Sequence, residues 1–192
     1  MSDWKEYISK TKTQPPADLL IKAIEECDNK DLALDLGPGA FNDTKLLLKS
    51  GFKKVIAVDI AEEGLEFTKT LKNENFEFVN STFDKFRFQD HKFDLINAQF
   101  SLPFNPPATF NKMFEKLKAS LNPDGIFCGQ FFGKRDSWNH EKSSLTFHSL
   151  TDILMLLTGM EIIELEEDEK DRAPVIGDIK HWHIYHLITR KM

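Results

Sequence analysis

Apolar and polar residues follow two alternating periods along this chain. Residues 31–36 (DLALDL), 54–59 (KVIAVD), 76–80 (FEFVN), 93–98 (FDLINA) and 126–132 are short runs rich in apolar and β-branched residues, and they read as strands. Between them the period lengthens to that of a helix. Leu19, Leu20, Ala23, Ile24 and Cys27 share one helical face within residues 15–27, which open on two prolines. Residues 42–50 read as a helix that Gly51 stops, and residues 61–72 as another. Phe110, Met113, Phe114, Leu117 and Leu121 line one face of residues 107–121, and Asn122-Pro123-Asp124-Gly125 is a turn signal. A last helix falls near 149–158. Two strand-like runs follow, 160–166 and 180–189, joined by the acidic segment Glu167–Gly177. No helix separates them, so they are expected to pair as an antiparallel hairpin.

Strand and helix alternate with short connections, which predicts an α/β fold: a mostly parallel sheet with helices on both faces. There is no internal repeat and no low-complexity linker, so residues 1–192 are expected to form one domain, with residues 1–30 as a helical cap segment. No apolar run reaches membrane-spanning length, and the N-terminus lacks the apolar stretch of a signal peptide. Cys27 and Cys128 stand far apart without a CxxC, which fits a reducing cytoplasm and no thiolate metal site. The net charge of −6, with scattered lysines, favours a small-molecule partner over nucleic acid or a membrane. The sequence carries no signal for oligomeric state.

Ligands of open parallel sheets sit beyond the carboxyl ends of the strands. The first strand ends in Asp35-Leu-Gly37-Pro38-Gly39, where two glycines let the backbone turn sharply and approach a ligand. The second ends at Asp59, placed to accept hydrogen bonds from both hydroxyls of a ribose. A dinucleotide fingerprint would need its third glycine where Asn42 stands, and Asp35 and Asp43 are awkward beside a pyrophosphate. An amino-acid tail with an ammonium group suits Asp35 better.

ALDLGPGAFNDTKLL resembles motif I of the class I S-adenosylmethionine (SAM)-dependent methyltransferases. VIAVDI resembles motif II, VNSTFDKF sits where motif III belongs, FDLINAQFSLPF resembles motif IV, and LKASLNPDGIFCGQFFG the helix-turn-strand that follows. The small bacterial, tellurite-resistance-like methyltransferases are the nearest group. The resemblance implies a Rossmann-like three-layer sandwich with a seven-stranded sheet in the order 3-2-1-4-5-7-6. It implies SAM as methyl donor, S-adenosylhomocysteine as product, a small-molecule acceptor and direct displacement at the methyl carbon. Gly37, Pro38 and Gly39 would back the methionine portion, Asp35 orient its ammonium, and Asp59 with Ile60 hold the ribose. The segment around Phe83 would read adenine, with Thr82 or Asp84 taking its amino group. Asn97, Ala98 and Phe100 would line the methyl-donor side. Phe41 stands where the family often has another glycine.

Tyr7, His140 and His148 are the candidates for a general base, should the acceptor need one. Asn105-Pro-Pro107-Ala108 looks like the NPPY motif of amino-methyltransferases, but it falls past the fourth strand and Ala108 cannot stack; Asn105 reads as a helix cap. His181, His183 and His186 invite a metal reading, yet His186 points away from the other two on a strand, so no metal is expected. Phe100 and Phe104 could favour a sulfonium through their ring faces. Trp4 and Trp138 lie in segments that could cap the site. The alternatives are a NAD- or NADP-dependent oxidoreductase, a non-catalytic SAM-binding domain and a nucleic-acid methyltransferase.

Overall fold

Both faces of the central sheet are covered, which is why its inner strands are apolar almost without alternation. A computed structural model describes residues 4–71, 73–90 and 92–192. Residues 1–3 of the expected cap and Lys72 of the expected helix 61–72 lie outside the described residues. Strands β1 (Leu32–Leu36), β2 (Lys54–Asp59), β3 (Phe76–Asn80), β4 (Phe93–Ala98) and β5 (Leu121–Gly133) pair in parallel. A two-residue strand, β6 (Phe147–His148), runs parallel beside the end of β5. β7 (Met160–Arg172) and β8 (Lys180–Lys191) form the antiparallel hairpin, and β8 pairs antiparallel with β5. The order is β3-β2-β1-β4-β5-β8-β7, with β6 off this path. This is the expected topology with one short strand added.

Helices α2 (Asp18–Glu25), α3 (Asn42–Lys49) and α4 (Glu63–Leu71) cover one face, meeting Ala33, Val55, Leu95, Ile126 and Ile188. Helices α5 (Pro107–Ser120) and α6 (Leu150–Leu156) cover the other, over Leu34, Ile56, Ile96, Phe127 and Leu187. Helix α1 (Trp4–Thr11) lies at the carboxyl ends of the strands. No helix among the described residues is long and apolar enough to cross a membrane.

Three expectations change. The Asn122–Gly125 turn is a bulge inside β5: pairing with β4 jumps from Phe93↔Leu121 to Leu95↔Ile126, and Asp124 takes φ 62°. β7 runs on to Arg172 through the acidic segment, because each acid from Glu167 to Asp171 meets a cation or a ring donor. Glu167 and Glu169 accept from Arg135, and Glu169 and Asp171 bond His181. Asn105 does not cap α5. Pro106 holds the N-cap position with no side-chain bond, while Asn105 Nδ2 donates to Thr109 Oγ1 at 3.1 Å and its carbonyl accepts from Thr146 Oγ1 at 2.6 Å.

Two features fix the ligand end. At the opposite edge, buried Asp94 accepts from Asp31 N (2.7 Å), Leu32 N (3.0 Å) and Asn122 Nδ2 (2.7 Å), which locks β1, β4 and β5 in register. That register sets Asp35 beside Asn97, and Asn97 beside Cys128.

Phe114, fully buried against Phe110, Phe127 and Phe131, anchors the α5 layer. Phe114→Ala is expected to lose about 3–5 kcal/mol in urea denaturation, through transfer and cavity terms together. Phe104→Ala, at a ring 38% exposed, should lose less than about 1 kcal/mol.

Candidate active site

The turn after β1 is built from residues in the left-handed region. Gly37 has φ +71° and Gly39 φ +52°. The turn is tied to the sheet by Gly37 N donating to Val58 O (2.9 Å) and is closed by Phe41 N donating to Pro38 O (2.8 Å). A Cβ on Gly37 would lie 2.5 Å from Ser101 Cβ and 3.6 Å from Phe83 Cζ, so only glycine fits. Phe41 also takes φ 61°, unusual for a bulky residue. Its ring stacks on Phe67 at 4.1 Å and meets Phe76 and Phe78 edge-on. Burial in this cluster offsets the backbone strain, of order 1–2 kcal/mol, that a glycine would not have.

Beside the turn stands a pair of carboxylates. Asp35 is buried at the end of β1; Thr44 Oγ1 donates to its Oδ2 at 2.5 Å and Asn97 Nδ2 to its Oδ1 at 2.9 Å. Asp43, in the first turn of α3, accepts from Ala17 N at 2.8 Å and from Asn97 Nδ2 at 3.3 Å. Burial and the charge of Asp43 push the Asp35 carboxyl above its ordinary range, against the lowering effect of Thr44 and Asn97. Burial raises Asp43 as well. Among the described residues no basic side chain is paired with either.

Asp59 ends β2, and its Oδ1 accepts from Ala61 N at 2.9 Å. Burial raises its pKa, opposed by hydrogen bonds from the Ala61 and Ile60 backbone. Ile60 is exposed beside it. On the loop after β3, the Thr82 hydroxyl is buried with no partner, while its carbonyl accepts from Lys85 N and Phe86 N. Asp84 is half-buried nearby in sequence. Phe83 turns its ring toward Gly37. At the end of β4, Asn97 and Ala98 are buried, and just beyond it Phe100 is half-buried with φ 52°. The sequence reading stopped at Phe100 and missed Ser101, whose buried hydroxyl lacks a partner and faces the Gly37 turn. Its one signal was its place in the same loop.

The three candidate bases fall in different places. Tyr7 lies over the glycine turn, with Cε1 3.7 Å from where a Gly39 Cβ would be; burial and then the Asp43 charge raise its pKa. His148 is buried between Phe110 (4.7 Å) and Phe131 (5.3 Å) on the α5 face, where burial lowers it to about 4. His140 sits in the exposed loop after β5. The other described histidines bond neighbours: His181 with Asp171 and Glu169, His183 with Glu167 and Arg135 N, and His186 with Gln130. Trp4 packs edge-on against Phe104 at 5.2 Å, and Trp138 lies against Trp182 at 5.1 Å.

Gly37 and Gly51 both have positive φ, but nothing lies within 4 Å of a Cβ on Gly51. Gly51→Ala is expected to cost about 1–2 kcal/mol, the backbone term alone. Gly37→Ala should exceed it by more than about 1 kcal/mol in chemical denaturation, because the Ser101 contact adds overpacking.

Residues 33–125, a little under half of the chain, match the family described as a methyltransferase domain. No curated protein matches the sequence. Among solved structures, TehB from Haemophilus influenzae is similar with TM-score 0.77 at 17% identity, over 98% of this chain and 67% of that one. N-methyltransferase NodS from Bradyrhizobium japonicum, in complex with S-adenosylhomocysteine, is similar with TM-score 0.69 at 15% identity, over 95% of this chain and 86% of that one. A SAM-dependent methyltransferase from Methanosarcina mazei gives 0.63 at 18% identity, over 88% and 96%. Residues 33–125 thus match the methyltransferase-domain family, and the chain has the fold that these methyltransferase structures share.

Proposed function

We propose that this protein binds SAM at the carboxyl ends of β1, β2 and β4 and methylates a small-molecule acceptor, the whole of residues 1–192 acting as one domain with its N-terminal segment as cap. The observation that carries the reading is the buried pair Asp35 and Asp43, which among the described residues has hydrogen-bond donors but no cation. Two carboxylates at a helix N-terminus repel a pyrophosphate and attract an ammonium. That distinguishes a SAM site from a NAD or NADP site on a similar sheet.

The surrounding residues fit the rest of the molecule. Gly37 and Gly39 present bare backbone at the end of β1 for a methionine chain to lie against. Asp59 keeps an oxygen for a ribose, and the orphaned Thr82 hydroxyl supports Thr82 over Asp84 as the adenine contact. The orphaned Ser101 hydroxyl adds a second polar group at the turn. SAM supplies a methyl carbon on a sulfonium, open to in-line attack by a nucleophile. The protein's own work is to align the acceptor, exclude water and hold the cofactor's charges, effects worth several kcal/mol. Tyr7, lying over Gly39 beside Asp43, serves as a clamp on the cofactor tail. The partly exposed rings of Trp4, Phe100 and Phe104 form the wall against which the acceptor packs. The net charge of −6, with scattered lysines, supports a small and non-nucleic acceptor.

Calorimetric titration tests this. S-adenosylhomocysteine should bind saturably and NAD and NADP should not. Asp59→Ala should weaken binding by about tenfold or more, the loss of charge-assisted hydrogen bonds. Binding of only a nicotinamide dinucleotide would put the oxidoreductase first.

The raised pKa of the carboxylate pair gives a second expectation. Ammonium capture needs the anionic form, and a raised acid becomes anionic only at higher pH. Affinity for S-adenosylhomocysteine should therefore climb as pH rises from the ordinary carboxylate range toward neutrality and above. Affinity for 5′-methylthioadenosine, which lacks the amino-acid tail and depends only on Asp59, should climb less over the same range.

A further inference from the structure

Three side-chain amides connect the carboxylate pair to β5 and β8. The backbone N–H of Phe100 donates to Gln130 Oε1 at 2.8 Å. An N–H can only donate, so this contact fixes which end of the Gln130 amide carries oxygen. Gln130 Nε2 then donates to Gln99 Oε1 at 2.7 Å and faces His186 Nδ1 at 3.4 Å. Gln99 Nε2 donates in turn to Asn97 Oδ1 at 2.7 Å. Asn97 Nδ2 is left to donate to Asp35 and Asp43. All three amides point the same way, and the two ends demand it independently: a backbone donor at one, two carboxylate acceptors at the other.

Gln130 is 2% exposed between the apolar positions of β5, where a buried amide is costly unless every bond is made. It touches neither carboxylate. Without it, Gln99 loses the partner that fixes its oxygen, and its Nε2 is held less firmly on Asn97 Oδ1. The Asn97 amide is then held by the carboxylates and by Cys128 Sγ, which donates to Asn97 Oδ1 at 3.3 Å, and its N–H groups are aimed less closely at Asp35 and Asp43.

We propose that Gln130 is a positioning residue of the cofactor site: through Gln99 it keeps the Asn97 N–H groups aimed at Asp35 and Asp43, and so sets how well that pair takes an ammonium group. The ammonium itself rests on the methyltransferase reading above; the amide orientation does not. The groups that face the pair are Thr44 of α3, Asn97, Cys128 of β5, Asp59 of β2 and Tyr7 of α1. Those that face His186 are Gln130, the Phe100 ring at 6.1 Å, and Glu166, Asp168, Lys170 and Arg172 of β7.

Gln130→Glu and Gln130→Leu separate the parts. The Glu variant still accepts from Phe100 N but offers no donor to Gln99, and the Leu variant does neither. Both should lose about tenfold or more in affinity for S-adenosylhomocysteine at pH 7 and stay within about twofold for 5′-methylthioadenosine, which also shows that they fold. The rise of S-adenosylhomocysteine affinity with pH should move to higher pH, since fewer donors hold the pair anionic. Ligand-free, ¹⁵N NMR of wild-type His186 should show Nε2–H with a bare Nδ1, and Gln130→Glu should raise its pKa by about a unit or more, because the new carboxylate bonds Nδ1–H.

An Nδ1–H tautomer in the wild type, equal losses for the two ligands, or an unmoved pH profile would overturn the proposal while leaving the methyltransferase reading intact. If the wild type bound neither ligand, that reading would fall, and the cofactor role of Gln130 with it.

Discussion

A buried carboxylate with no cation beside it organises the ligand end of this molecule. Asp35 gives up solvation at the end of β1, and the chain meets that cost with hydrogen bonds drawn from two elements, α3 and β4. Thr44 comes from the first turn of α3, Asn97 from the adjacent strand, and Asp43 shares the Asn97 amide. These bonds lower the carboxylate only in part; burial and the second negative charge still win. A site in that condition has a standing preference for a positive ligand group. The same condition explains why buried polar residues, Asn97 and Gln130, sit in strands that are otherwise apolar.

The constraint reaches the N-terminal segment as well. Asp43 accepts from Ala17 N, just before α2, and Asn42 Nδ2 donates to Thr11 O at the end of α1. The first turn of α3 therefore ties Asp35 to the N-terminal segment, through Thr44 on one side and Asn42 and Asp43 on the other. Its start depends on Phe41 keeping a left-handed backbone, which the Phe67 stack secures. An aromatic cluster here does the conformational job that a third glycine does elsewhere, and it does so through packing at a distance from the ligand.

Strand and helix order was legible because burial on both faces writes itself as apolar runs, and Gly37, Gly39, Asp35 and Asp59 were legible because backbone sterics and charge restrict those positions to few residue types. What stayed hidden depends on partners far away in sequence. β6 is two residues long and exists only because the end of β5 lies beside it. The length of β7 follows from Arg135 and His181 meeting its acids, contacts that cross more than thirty and about ten positions respectively. Asn105 carries a capping residue's identity but is drawn into a bond with Thr109 while its carbonyl serves Thr146. Ser101 and Gln130 have no composition signal; only the fold brings one to the glycine turn and the other to Gln99.

The cations near the outer wall strengthen the case for a positive ligand tail. Lys180 lies 3.6 Å from the Trp182 ring centre and 3.9 Å from that of Trp138, and its Nζ donates to buried Asp136 at 2.5 Å. Arg135 is spanned by Glu167 and Glu169. Each of these charges is met within its own cluster, so neither is available to Asp35 or Asp43. Asp59 adds a further negative charge near the pair from β2. On the proposed reading, a ligand that brings its own cation relieves that charge, whereas a ligand that brings phosphates adds to it.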